Sequence, residues 1–197
     1  MDIISHISNS LALFFDRDKG FKQIAKKSDL GVAIISLFLV YLIAEIFTVA
    51  FNGTADNLLI GVLTAVIGSL IGTLFLGFVG YGIVHLLLKM FGGKAQYLDT
   101  VKFGLSLGIL GGVLQILGSF IPMNLLDNNM VAIPLLGLIL AFGIWVLIVS
   151  AAVFSKAHKI TKTRALLALL IPMIVVLLLV LVVGASVLLL SDSMTGY

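Results

Sequence analysis

Residues 58–88 read LLIGVLTAVIGSLIGTLFLGFVGYGIVHLLL, without one Lys, Arg, Asp or Glu. The run is too long for a simple span: as a helix rising about 1.5 Å per residue it reaches about 46 Å, against a hydrocarbon thickness of about 30 Å. Whether it crosses a membrane once or twice sets the topology, and the flanking charges decide. All twelve Lys and Arg residues fall in three stretches: Arg17, Lys19, Lys22, Lys26 and Lys27; Lys89, Lys94 and Lys102; and Lys156, Lys159, Lys162 and Arg164. The segments 52–57, 122–130 and the tail after Leu190 carry none. Because cytoplasmic loops retain cations, a double crossing would put the middle cluster on the wrong side. One crossing, tilted or bent at a glycine, keeps the three clusters together.

Working outward, the remaining apolar runs give spans at 31–51, 103–121, 131–154 and 165–190, each at least the roughly 17 residues a crossing needs. The expected fold class is all-α: a polytopic membrane protein with five transmembrane helices, N-terminus cytoplasmic and C-terminus outside. It divides into a cytoplasmic segment 1–30, a five-helix domain 31–190 and an outer tail 191–197. Composition agrees, with 61% hydrophobic and 11% charged residues and a mean hydropathy of +1.26, too apolar for a soluble core. The net charge of +3 sits in the inside loops and suits anionic lipid headgroups rather than nucleic acid. With no cysteine, disulfides and thiolate metal sites are excluded. The first apolar run follows a polar stretch and exceeds the core of a signal peptide, so it is expected to be a retained span. Pro134 falls in the first turn of span four, where a missing N–H costs little, and Pro172 predicts a kink in span five.

Ahead of span one, Ile3, Ile4, Ile7, Leu11, Phe14 and Phe15 recur at helical spacing, with Ser5, His6, Ser8, Asn9 and Ser10 on the other face. This is an amphipathic interfacial helix, ended by the Asp16–Gly20 turn, that either lies on its own membrane or docks a partner. Gly61, Ala65, Gly68 and Gly72 in span two and Gly104, Gly108, Gly111, Gln115 and Gly118 in span three form small-residue faces. Close antiparallel packing of these two faces, with Gln115 hydrogen-bonded between them, is the economical expectation, and a glycine-lined pore the alternative.

Glu45 is the most unusual residue, two thirds of the way along span one, with Tyr41, Thr48 and Asn52 on the same face. An intramembrane carboxyl is costly unless protonated and hydrogen-bonded or paired with a cation or a substrate amine, so the stripe is either structural or a binding or transport site. Gly104–Gly108 spells G-x-S-x-G, and His85 lies at similar depth. An intramembrane serine hydrolase built on Ser106 and His85 is not expected, because the strand-turn-helix context and an orienting acid are both missing. Ser106 should bond back to its own helix, His85 should sit near the headgroups and His158 should be a solvated loop residue. No pair of His or acidic residues has metal-ligand spacing, and no cofactor is expected.

Several segments together resemble the Yip1-domain family of small five-span membrane proteins. They are Leu13–Ile24 (LFFDRDKGFKQI), Phe91–Thr100 (FGGKAQYLDT), Ile144–Trp145, Lys156–Ile160 (KAHKI) and Arg164–Ala165. The resemblance implies an N-in five-helix fold and no catalytic residues. Eukaryotic members act in vesicle traffic and contact small GTPases through a long cytosolic N-terminal region; with only about thirty residues before span one, that binding is not carried over. The leading expectation is a non-enzymatic scaffold or accessory factor for membrane organisation, trafficking or a larger complex, multi-pass in the cell (inner) membrane. Its partners would be lipids and other membrane proteins or a second copy of itself. Candidate contact residues are Phe91, Lys94, Tyr97 and Asp99, with Asp99 serving equally as an N-cap or first-turn anion of span three. The alternative is a small transporter or channel for a cation, proton or small solute centred on Glu45.

Overall fold

The computed structural model describes residues 1–52, 58–120 and 129–195. Helices α1 (Ile3–Phe15) and α2 (Arg17–Lys27) precede α3 (Leu30–Asn52). The long run becomes α4 (Leu58–Leu74), a π turn (Phe75–Gly80) and α5 (Tyr81–Met90); α6 (Tyr97–Ser119), α7 (Asn129–His158) and α8 (Lys162–Thr195) follow. Five helical stretches are long and apolar enough to cross a membrane: Leu30–Phe51, Leu59–Met90, Tyr97–Ser119, Ile133–His158 and Lys162–Val182. The undivided run is therefore one span-length stretch, interrupted by a π turn that holds Gly77 and Gly80, the kind of interruption at which helices commonly bend. Pro134 lies inside α7 and Pro172 inside α8.

The packing order differs from the expected one. The α6 glycines receive α3, not α4: a Cβ on Gly108 would touch Leu37, one on Gly111 the Tyr41 hydroxyl, and one on Gly112 would collide with Val40. Gly104 lies under the Tyr81 ring. On α4 the buried stripe is Gly61, Ala65, Ser69 and Thr73, while Gly68 and Gly72 are exposed, with no atom within 4 Å of where a Cβ would stand. The sequence exposes two overlapping small-residue faces on α4, and the one carrying hydroxyls turns inward. Hydroxyls in hydrocarbon seek cover, whereas glycine has no preference.

Two apolar clusters form the interior. One joins Leu37, Val40, Val101, Leu105 and Ile109 of α3 and α6. The other joins Leu13 of α1 and Ile24 of α2 to Leu88, Phe103, Val149, Phe154 and Ala165. The short helices are thus built into the bundle at its basic end. Asp2 and Asp16 cap α1 and α2 by accepting from Ser5 N and Lys19 N at 2.7 and 3.1 Å, each a ready partner for an orphan N–H. Gly20 lets α2 fold back tightly, since a Cβ there would meet the α1 backbone at Leu13 and Asn9. Phe21 stacks on Phe103 at 4.7 Å, and Lys156 reaches both the Phe21 ring and the Asp18 carboxylate.

Candidate functional site

Two polar assemblies interrupt the apolar interior. The first lies in the half of the bundle away from the cations. Glu45, one turn beyond Tyr41 on α3, accepts a 2.8 Å hydrogen bond at Oε1 from the Gln115 amide of α6. Both line a cavity of about 250 Å³ with Ser69 and Thr73 of α4 and Leu76 of the π turn; Gly68 and Gly72 form its edge. Ser69 is 4% and Thr73 2% exposed, and neither hydroxyl has a hydrogen-bond partner among the described residues. Thr48 bonds to the Ala44 carbonyl of its own helix at 2.9 Å and does not join the cavity. Asn52 closes α3, and its side chain lies outside those described. Gln115 is hydrogen-bonded between helices as expected, but to span one rather than between spans two and three.

The second assembly sits at the basic end. Thr100 of α6 bridges two imidazoles, 2.8 Å from His85 Nδ1 on α5 and 2.8 Å from His158 Nε2 on α7. His158 is fully buried, which corrects the solvated-loop reading. The reason lies in two helix ends. After α5, Gly93 N bonds to Leu88 O and Gly92 N to Lys89 O, with Gly92 at φ +89°. That pattern is a Schellman cap. After α7, Ile160 N bonds to Ser155 O with Lys159 at φ +56°, so the chain turns sharply and leaves His158 pointing inward. Its ring rests on Gly93, where any Cβ would collide with it, and its carbonyl accepts from Lys94 N at 2.9 Å. His85, 9% exposed, is likewise interior to the bundle.

Ser106 does not meet His85. It donates back to Lys102 O at 2.8 Å, as expected, and lies 3.3 Å from Nε2 of His6. The other His6 nitrogen faces Ser28 Oγ at 3.0 Å. The shorter contacts favour the neutral Nε2–H tautomer of His6: Ser106 donates to Lys102 O, and Ser28, which also lies 3.3 Å from Asp29 O, stands closer to His6 Nδ1. Burial, reinforced by Lys102, lowers its pKa to about 4. A serine already donating elsewhere, beside a histidine oriented by another serine, is a structural network rather than an activated nucleophile. Among the described residues no group of three His, Cys, Asp or Glu side chains could hold a metal ion.

The loop residues picked out in the sequence come together around this second assembly. Tyr97 packs edge-on against His85 and donates to the Phe78 carbonyl at 2.7 Å. Phe91 packs on the larger apolar cluster, Lys94 is exposed, and Asp99 sits in the first turn of α6 near Lys102 at 3.9 Å. The family model described as the Yip1 domain matches residues 11–184. The chain belongs to the Yip1 family. No curated protein and no solved structure matches it. The stretches that carried the resemblance thus meet in space within the Yip1 domain: Phe91–Thr100 and Lys156–Ile160 share the histidine–threonine bridge, and Leu13–Ile24 packs on the adjoining cluster.

The contribution of α1 was missed in one respect. Its buried residues are His6, Ser10 and Leu13, while Ile4 and Phe15 are 80% and 90% exposed. The helix buries His6 and Ser10 beside Leu13 and packs Ile7, Leu11 and Phe14 on the two apolar clusters, leaving Ile4, Ser8 and Phe15 outward. Amphipathic spacing shows that two faces exist, but only the surroundings decide which is inside.

Proposed function

We propose that this Yip1 domain is a non-enzymatic scaffold or accessory protein that organises the cell membrane, acting through the basic, cytoplasmic end of its bundle. The observation that carries the reading is the pair of exposed apolar side chains on α1, Ile4 and Phe15. Phe14 packs against Phe142 and Trp145 of α7 with ring centroids 5.5 and 4.2 Å apart, and Trp145 stands about 16 Å along the helix from Lys156 at about 1.5 Å per residue. The outward face of α1 therefore lies at the depth of acyl chains, which would cover Ile4 and Phe15 at no cost. Arg17, Lys156, Lys159 and Lys162 line the groove above it, at the level of anionic headgroups. Two helices, each about 10 Å wide, thus widen the protein in one leaflet, a cross-section that favours a curved bilayer.

The transport alternative is less well supported. Between the Glu45 cavity and the basic end stands a tightly packed layer of fully buried Leu37, Leu105 and Ile109, so the cavity reads as a closed-ended site. Reconstitution in vesicles of anionic and zwitterionic lipid, with diameters measured by electron cryomicroscopy, tests the proposal. The wild type should shift the population to smaller vesicles with increasing protein density, and Ile4→Asp with Phe15→Asp should lose the shift while retaining the folded thermal transition. Equal vesicle sizes with and without wild-type protein would overturn it.

A further inference from the structure

We infer that the Glu45 cavity binds a primary ammonium group, with its carbon chain leaving between Gly68 and Gly72 toward the lipid. The walls supply acceptors in excess. Gln115 uses one carboxyl oxygen of Glu45, Oε1, and among the described residues no hydrogen bond reaches Oε2. Tyr41, Ser69 and Thr73 border the same space, and the Ser69 and Thr73 hydroxyls are buried there without a hydrogen-bond partner among the described residues. Among the described residues no Lys, Arg or His lines the cavity. The missing complement is a compact cation with several N–H donors, and an –NH₃⁺ group carries three. Leaving buried hydroxyls and a carboxylate unmatched is expensive in hydrocarbon, so such a site is held open for something.

Size and shape narrow the class. A bare metal ion would need oxygens converging at short range, whereas about 250 Å³ is several times the roughly 30 Å³ share of one water. A quaternary ammonium would fill the space but offers no N–H to the hydroxyls. The cavity edge at Gly68 and Gly72 is exposed and empty where side chains would stand, and its neighbours Ile67 and Ile71 are exposed and apolar. An alkyl or acyl chain fits that exit. The ammonium could arrive on an aminophospholipid or on a soluble alkylamine; the recognition chemistry is the same. This inference stands independently of the membrane-organising role, since neither α1 nor the basic groove contributes to the cavity.

The test uses full-length protein in phosphatidylcholine nanodiscs, titrated with hexylammonium while the thermal midpoint is followed. Hexyltrimethylammonium and sodium chloride serve as controls. Wild type should be stabilised by hexylammonium alone. Glu45→Gln, which keeps an acceptor for Gln115 and so preserves the helix contact, should weaken the apparent affinity at least tenfold. Ser69→Ala with Thr73→Val should weaken it several-fold, and Gly68→Leu should block entry with little change in unliganded stability. A second arm, native mass spectrometry after exchange into discs containing phosphatidylethanolamine, separates the sources: preferential retention lost in Glu45→Gln assigns a lipid, and its absence beside a hexylammonium response assigns a soluble amine. The inference is overturned by equal responses to hexylammonium and hexyltrimethylammonium, by an undiminished response in Glu45→Gln, by stabilisation with sodium alone, or by no response of the folded wild type to hexylammonium.

Discussion

Acidification should loosen the N-terminal helix through one residue, His6. In the folded protein its imidazole is fully buried, donates toward Ser106 and accepts from Ser28, and its pKa falls from 6.5 to about 4 because of burial and the nearby Lys102 cation. A base with a depressed folded pKa contributes stability that is complete above the unfolded value and declines as pH falls through the interval, levelling off once the folded form also protonates. At pH 5 the unfolded imidazole is about 97% protonated and the folded one about 10%, so the linkage penalty is on the order of 2 kcal/mol. For a chain of this size that is a loss of roughly 4–8 °C in thermal midpoint. Thermal unfolding in detergent between pH 8 and pH 5, comparing wild type with His6→Gln, isolates the effect because titration of every other group is common to both. The wild type should lose more stability on acidification by about that amount, with the difference developing below about pH 6.5. Parallel pH profiles for the two proteins would refute the reasoning.

The two classes of glycine should respond oppositely. Gly104→Ala drives a methyl into the Tyr81 ring and should cost about 1–3 kcal/mol, whereas Gly68→Ala enters open space and should be neutral or stabilising by up to about 1 kcal/mol; denaturant titration of both variants reads the contrast. Thr100→Val keeps the shape but strips the shared partner of His85 and His158, and leaving buried imidazoles unsatisfied should cost about 2–3 kcal/mol in the same assay.

Much of the fold was legible because the bilayer imposes a coarse code. Apolar run length and cation position are enough to count crossings, and they assigned one crossing to the 58–88 run, which is a single helical stretch interrupted by a π turn. The cavity was half legible. Glu45, Tyr41 and Gln115 stand out as polar residues in apolar runs, but Ser69 and Thr73 did not, since short hydroxyls in membrane helices commonly bond to their own backbone. Gly68 and Gly72 were visible as small residues, yet their spacing holds no information about whether a neighbour covers them. His158 was hidden for a different reason: between two lysines it reads as solvated, and only the αL turn at Lys159 and the absent side chain at Gly93 bring it inside.

The sequence by itself determined how many times this chain crosses the membrane, which segments share the basic end, and that a carboxyl lies within the apolar thickness. These follow from transfer energies, which depend on residue type and run length alone. Tertiary structure decided that α3 rather than α4 fills the glycine face of α6, that His6 rather than His85 meets Ser106, and that α1 buries His6 and Ser10 beside Leu13. In lipid an apolar face gains little by turning toward protein, so helix pairing and orientation rest on shape and on polar partners, neither of which periodicity encodes.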